Sequence, residues 1–157
     1  MDRKDIGAWL SGPVTNLGNT DKDFRYPGNR LGLPAQGPGS VAGIGRRVLA
    51  FFLDYFASMA VAHVIAPHLA YLSNPFRLLT LEIMFGEIAL FTVLLGSSFG
   101  QRLLGIQVVG IDLRRLTIVR VVVRTMLIFL VVPAAIWDRD GRGFHDRAVG
   151  SITVRTR

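Results

Sequence analysis

The stretch Arg46-Arg47 followed by VLAFFLDYFASMAVAHVIAPHLA, ending at Ala70, decides the fold class. Two arginines stand at the edge of an apolar run. The run is roughly 20 residues long, about the length a helix needs to cross a hydrocarbon core of ~30 Å at ~1.5 Å per residue. One acid, Asp54, interrupts it. Asp54 falls about two turns beyond Arg47, so both lie on one helix face, roughly 10 Å apart along the axis. A carboxylate at that depth costs about 2.5–3.5 kcal/mol on insertion scales, so it is expected to face protein or water and find a partner.

Half of the 157 residues are hydrophobic, which is high for a soluble domain of this size. The net charge of +7 and a pI near 11.0 point either to nucleic acid or to a membrane surface. The basic residues flank apolar runs and form no aromatic-interleaved patch, so the membrane reading is taken and nucleic acid is not expected. The absence of cysteine excludes disulfides, iron–sulfur clusters and thiolate metal sites. The first ~40 residues lack the apolar core of a cleavable signal, so the first apolar segment is expected to stay as an anchor.

Residues 1–44 read as an extended or disordered cytoplasmic arm, rich in Gly, Pro, Asn and Asp. Trp9, Phe24, Tyr26, Leu31 and Leu33 are spaced along it as anchors for a partner. Residues 45–157 form the membrane domain. Helices are expected at about 47–66, 78–99 and 116–137, with an interfacial, partly extended segment at 100–115 and a basic tail at 138–157. The third segment carries Arg120 and Arg124 and is interrupted by Pro133, so it is expected to be short or tilted. The fold class is therefore an all-α integral membrane protein, a small bundle of about three membrane-embedded helices with an extended N-terminal arm. Lys and Arg near the spans place the N-terminus in the cytoplasm.

Four pieces in order carry a family resemblance. Arg47-x-x-Ala50-x-x-x-Asp54 resembles the opening signature of RDD-family membrane proteins, named for one arginine and two aspartates. Ser98-Phe-Gly100-Gln-Arg102-Leu-Leu104-Gly105 resembles that family's interfacial motif. Arg124 resembles the arginine heading its next helix, and Gly143-Phe-His145-Asp146 its closing His-Asp element. The resemblance maps the second aspartate onto Asp146, with Asp138 as runner-up. It implies a bacterial inner-membrane location and no single activity, although a few members are linked to cation/proton exchange. Many members have an extra membrane pass before the His-Asp element, for which the interval here is short.

The charges expected to matter are Arg47, Asp54, Glu87, Arg124 and Asp146. Their bland role is internal pairing, in which Arg47 or Arg124 neutralises Asp54. Their sharper role is cation and proton passage by Asp54 and Glu87 in a homo-oligomer. Arg102, Arg114, Arg115 and Arg120 are expected at the lipid headgroups, where anionic lipid is a partner. His63 and His68 are five apart, whereas two ligands on one helix face need a spacing of about four, so no metal site is expected. No nucleophile has a base poised nearby and no cofactor motif is present. The expectation is a non-catalytic accessory subunit of the bacterial plasma membrane, docked beside a larger membrane complex, with a respiratory assembly one candidate. A cation/proton exchanger and an anionic-lipid binder are the alternatives.

Overall fold

A computed structural model describes residues 25–130 and 142–157. Two long helices dominate it, α1 at Ile44–Ile65 and α2 at Asn74–Leu95, both long and apolar enough to cross a membrane. Each buries one stripe at a spacing of four. On α1 the stripe is Ala50, Asp54, Ser58 and Ala62. On α2 it is Phe76, Thr80, Met84, Ile88 and Thr92. The small residues on α1 allow close approach to the larger ones on α2. Large apolar side chains cover the remaining faces, including Phe51, Phe52, Phe56, Leu90 and Leu94. In water such surface would be costly; in lipid it is the expected exterior.

α2 starts earlier than the expected residue 78. Ser73 Oγ accepts the Phe76 N–H at 3.4 Å, and Pro75 lies in the first turn, where its missing N–H costs nothing. Ser73-Asn74-Pro75 is thus a helix start. Gly96 ends α2 in the left-handed region at φ 76°, so the helix stops short of the expected residue 99.

The expected interfacial segment contains a short helix, α3 at Phe99–Leu103, and a strand, β1 at Ile106–Gly110. The expected basic tail contains α5 at Phe144–Ala148 and β2 at Ser151–Arg155. β1 and β2 pair antiparallel with Val108 opposite Thr153. The all-α expectation is therefore corrected to a mostly helical fold with a two-stranded sheet. Ile106 and Val108 supply the buried face of β1, as their alternation predicts, and Ile152 and Val154 are buried from β2.

Between the strands in chain order comes α4 at Ile118–Phe129, packed on α2 through Phe85 and Phe129, whose ring centroids are 5.6 Å apart. At ~1.5 Å per residue α4 is about 18 Å long, shorter than a bilayer core. Residues 131–137 of the expected 116–137 span lie outside the described residues.

The end of the arm packs on the chain itself. Ala42 N donates to Thr153 O at 2.9 Å, and Arg155 N to Ser40 O at 2.8 Å, laying this segment along the free edge of β2. Leu33 is buried against Ile152 and Val154, with Leu31 and Val41 packed beside it. Leu31 and Leu33, expected as partner anchors, thus belong to the chain's own core. Tyr26 is half-buried. Trp9, Phe24 and the rest of residues 1–24 lie outside the described residues.

Candidate functional site

Two buried polar clusters are built at the sheet end of the spans. The first centres on Asp146, which is fully buried in the first turn of α5. Arg124 Nε donates to Asp146 Oδ1 at 2.7 Å, and Ser151 Oγ to the same oxygen at 3.0 Å. Asp146 Oδ2 accepts from Arg47 Nη1 at 3.1 Å and from Thr153 Oγ1 at 3.2 Å. Arg47 also donates through Nε to Ala42 O and through Nη2 to Thr153 O, both at 3.1 Å. One carboxylate thus ties α1, α4, α5 and β2 together.

The electrostatics of this knot favour a charged Asp146 and a neutral His145. Burial opposes ionisation of Asp146, but the neighbouring cations, Arg124 foremost, outweigh it and hold the carboxyl below the usual range. His145 Nε2 lies 3.7 Å from Asp146 Oδ2. Burial lowers the His145 pKa, Asp146 opposes the shift, and Arg124 and Arg47 reinforce it, leaving it at about 4. The geometry allows an ion pair with Asp146, but burial and two adjacent guanidiniums prevail.

The second cluster gathers one acid from each span, Asp54 and Glu87, at the start of α3. Gly100 N donates to Asp54 Oδ1 at 2.5 Å, and Ser98 Oγ to Asp54 Oδ2 at 2.6 Å. Phe99 N donates to Glu87 Oε1 at 2.7 Å. Gln101 N donates to Ser98 Oγ at 3.3 Å, and Ser98 N to Gln101 Oε1 at 3.1 Å, completing a capping box. Each of the first N–H groups of α3 therefore has an oxygen partner, and two of these partners are carboxylates from different spans. This satisfies donors that a helix start leaves open and puts negative charge where the helix dipole favours it. Gly100 makes the approach possible, because a Cβ there would collide with Ala50 O and crowd Asp54 Oδ1.

The expected pairing of Asp54 with Arg47 or Arg124 is therefore corrected. Both arginines serve Asp146. Side chains on a helix lean toward its N-terminus, which carries the Arg47 guanidinium away from Asp54 and toward the sheet. Ser151 and Thr153 were missed; nothing in the tail marked them as partners of Asp146. Ser98 was within reach of sequence reasoning, because Ser98-x-x-Gln101 is itself a capping-box pattern.

Arg102, Arg114, Arg115 and Arg120 are all exposed, and Arg115 Nη1 donates to Leu94 O at 3.2 Å. His63 and His68 are exposed, and no metal-ligating group forms among the described residues. Glu82 lines an open groove of about 340 Å³ with Leu78, Leu81, Phe85 and Phe129. Asp138 lies outside the described residues.

Two helices long and apolar enough to cross a membrane, with apolar outer faces, are compatible with a small helical membrane protein. The RDD family profile matches residues 41–150, well over half of the chain, and takes in Arg47, Asp54 and Asp146. The chain belongs to the RDD family. No curated protein and no solved structure matches it.

Proposed function

We propose that the chain is a non-catalytic accessory subunit of the bacterial plasma membrane, multi-pass with its N-terminus in the cytoplasm, docking beside a larger membrane complex. A respiratory assembly is one candidate among several. The observation that carries this reading is the fate of the intramembrane acid: both oxygens of Asp54 accept short bonds that fix α3. Arg47, Arg124 and Asp146 are likewise bound into packing. Charges used this way shape a scaffold. The outward aromatic side of α1, where Phe52 and Phe56 stack with centroids 6.5 Å apart, offers a rigid surface for a neighbouring helix. Among the described residues Arg77 is the one arginine at the far end of the spans, which supports the cytoplasmic assignment of the sheet end.

The docking reading is tested by extraction from native membranes in mild detergent. The chain should co-elute with a larger assembly, and Trp9→Ala or Phe24→Ala should weaken that association. Elution always as a lone protein would count against docking.

One observation favours the exchanger reading. Asp54 and Glu87 meet at one helix start, and Glu87 Oε2, Ser58 Oγ and Thr92 Oγ1 are buried without a hydrogen-bond partner among the described residues. Carboxylate and hydroxyl oxygens are the ligand type that suits a hard cation. Reconstituted protein should then exchange cations for protons across liposomes, with loss in Asp54→Asn. Absence of flux in the wild type ends this alternative.

A further inference from the structure

Arginines are fastened at the level where the apolar surface of the spans ends. Arg115 Nη1 donates to Leu94 O, in the last turn of α2, at 3.2 Å. Arg46, in the first turn of α1, donates through Nη1 to Leu104 O at 3.4 Å. Arg157 Nη2 donates to Leu103 O, at the end of α3, at 2.5 Å. Arg102, Arg114 and Arg120 extend the same end of the molecule and are exposed. Asp112 is the exposed acid at this end among the described residues, and its Oδ1 accepts a backbone N–H from Arg114. Like charges have been collected here with little internal neutralisation.

The surface between the arginines is apolar. Phe99, Leu103, Leu113, Ile118 and Val119 are all exposed, and they alternate with the arginines along the chain. A nucleic acid or an acidic soluble protein would match the charge and leave these side chains in water. An anionic lipid matches both: its phosphate meets the guanidiniums and its acyl chains meet the apolar side chains.

We propose that Arg46, Arg102, Arg114, Arg115, Arg120 and Arg157 form a band that seats anionic phospholipid headgroups. The reading is independent of docking and of ion exchange. Arg46, Arg115 and Arg157 hold helix-end carbonyls as well as facing the headgroups. Arg102, Arg114 and Arg120 make no side-chain bond among the described residues, so they can be neutralised with the least damage to the fold.

The experiment uses the full chain reconstituted in vesicles of equal phosphatidylglycerol and phosphatidylcholine, extracted gently, with retained lipids counted by native mass spectrometry. The wild type should retain phosphatidylglycerol at least tenfold over phosphatidylcholine. Juxtamembrane arginines contribute on the order of a fivefold preference each, so Arg120→Gln should lower the ratio about fivefold. The triple variant R102Q/R114Q/R120Q should lower it further than Arg120→Gln alone, and lysine at the same positions should restore it. Arg77→Gln, at the opposite end, should leave it unchanged. Equal retention of both lipids by the wild type overturns the proposal, and so does displacement of phosphatidylglycerol by millimolar inorganic phosphate, which would mark a free-anion site. If the triple variant does not fold, the wild-type ratio and Arg120→Gln decide the matter.

Discussion

Arg47 and Asp54 lie on the same side of α1, about two turns apart, and serve different partners. Arg47 Nη1 is 3.1 Å from Asp146 Oδ2, whereas Asp54 accepts the Gly100 N–H at 2.5 Å and the Ser98 hydroxyl at 2.6 Å. The division has a mechanical meaning. The arginine closes the ends of the chain onto α1, and the aspartate clamps the α3 turn against the spans. The two anchors hold different segments and share no bonding partner among the described residues.

Removing the shared carboxylate should be severe. Asp146→Ala removes the carboxylate that pairs with the buried Arg47 and Arg124, and breaking a buried ion pair in this way typically costs about 3–5 kcal/mol. Denaturant unfolding in detergent should show that loss, while Asp112→Ala, at an exposed site, should shift stability by less than about 0.5 kcal/mol. Equal effects at the two positions would contradict the central role of Asp146.

Gly100 should tolerate no side chain. A methyl group there meets Ala50 O and Asp54 Oδ1, and overpacking of this kind costs about 1–3 kcal/mol. Gly86 faces open space on α2, and Gly86→Ala should be neutral or stabilising through helix propensity. Thermal melts of the two variants in the same detergent make the comparison, and a Gly100→Ala protein as stable as wild type would refute the close approach of α3 to α1.

Ser98 and Asp54 should act as a unit. Ser98→Ala removes both an N-cap and a bond to the carboxylate, for a loss of about 1–3 kcal/mol. Once Asp54 is already alanine, Ser98→Ala should cost less, with a coupling above ~0.5 kcal/mol in a double-mutant cycle. Strict additivity would mean that the hydroxyl and the carboxylate do not touch.

Acid should destabilise the fold in two stages. The His145 pKa in the folded chain is about 4, against an ordinary 6.5. Between those values the unfolded chain binds a proton that the folded chain refuses, so stability falls as pH drops from about 6.5 to about 4, by on the order of 3 kcal/mol. Asp146, held below the usual carboxylate range, adds a further loss as pH falls below its ordinary 3.8. Unfolding at a series of pH values should show the upper slope in wild type and its absence in His145→Gln. A flat profile from pH 7 to 4 would show that His145 is free to protonate in place.

Much of this was legible in the chain. The spans are written in the lengths of two apolar runs, and the need of Asp54 for a partner follows from its depth. The identity of that partner does not. A pattern along one helix shows which residues share a face, not which way a long side chain leans, so Arg47 seemed available to Asp54. The true partners are a serine and a backbone N–H far along the chain, brought in by the turn after Gly96. β2 was hidden for a similar reason: Ser151 to Arg155 is short and flanked by arginines, and its strand character depends on β1 lying beside it. Leu31 and Leu33 looked like anchors without a core because the strand they cover lies over a hundred residues later.

The most direct test of the account compares two double-mutant cycles on Arg47, one with Asp146 and one with Asp54, each read by unfolding free energy in detergent. The account predicts a coupling of about 2 kcal/mol or more for Arg47→Met with Asp146→Leu and near zero for Arg47→Met with Asp54→Leu. A large coupling to Asp54 with none to Asp146 would contradict it.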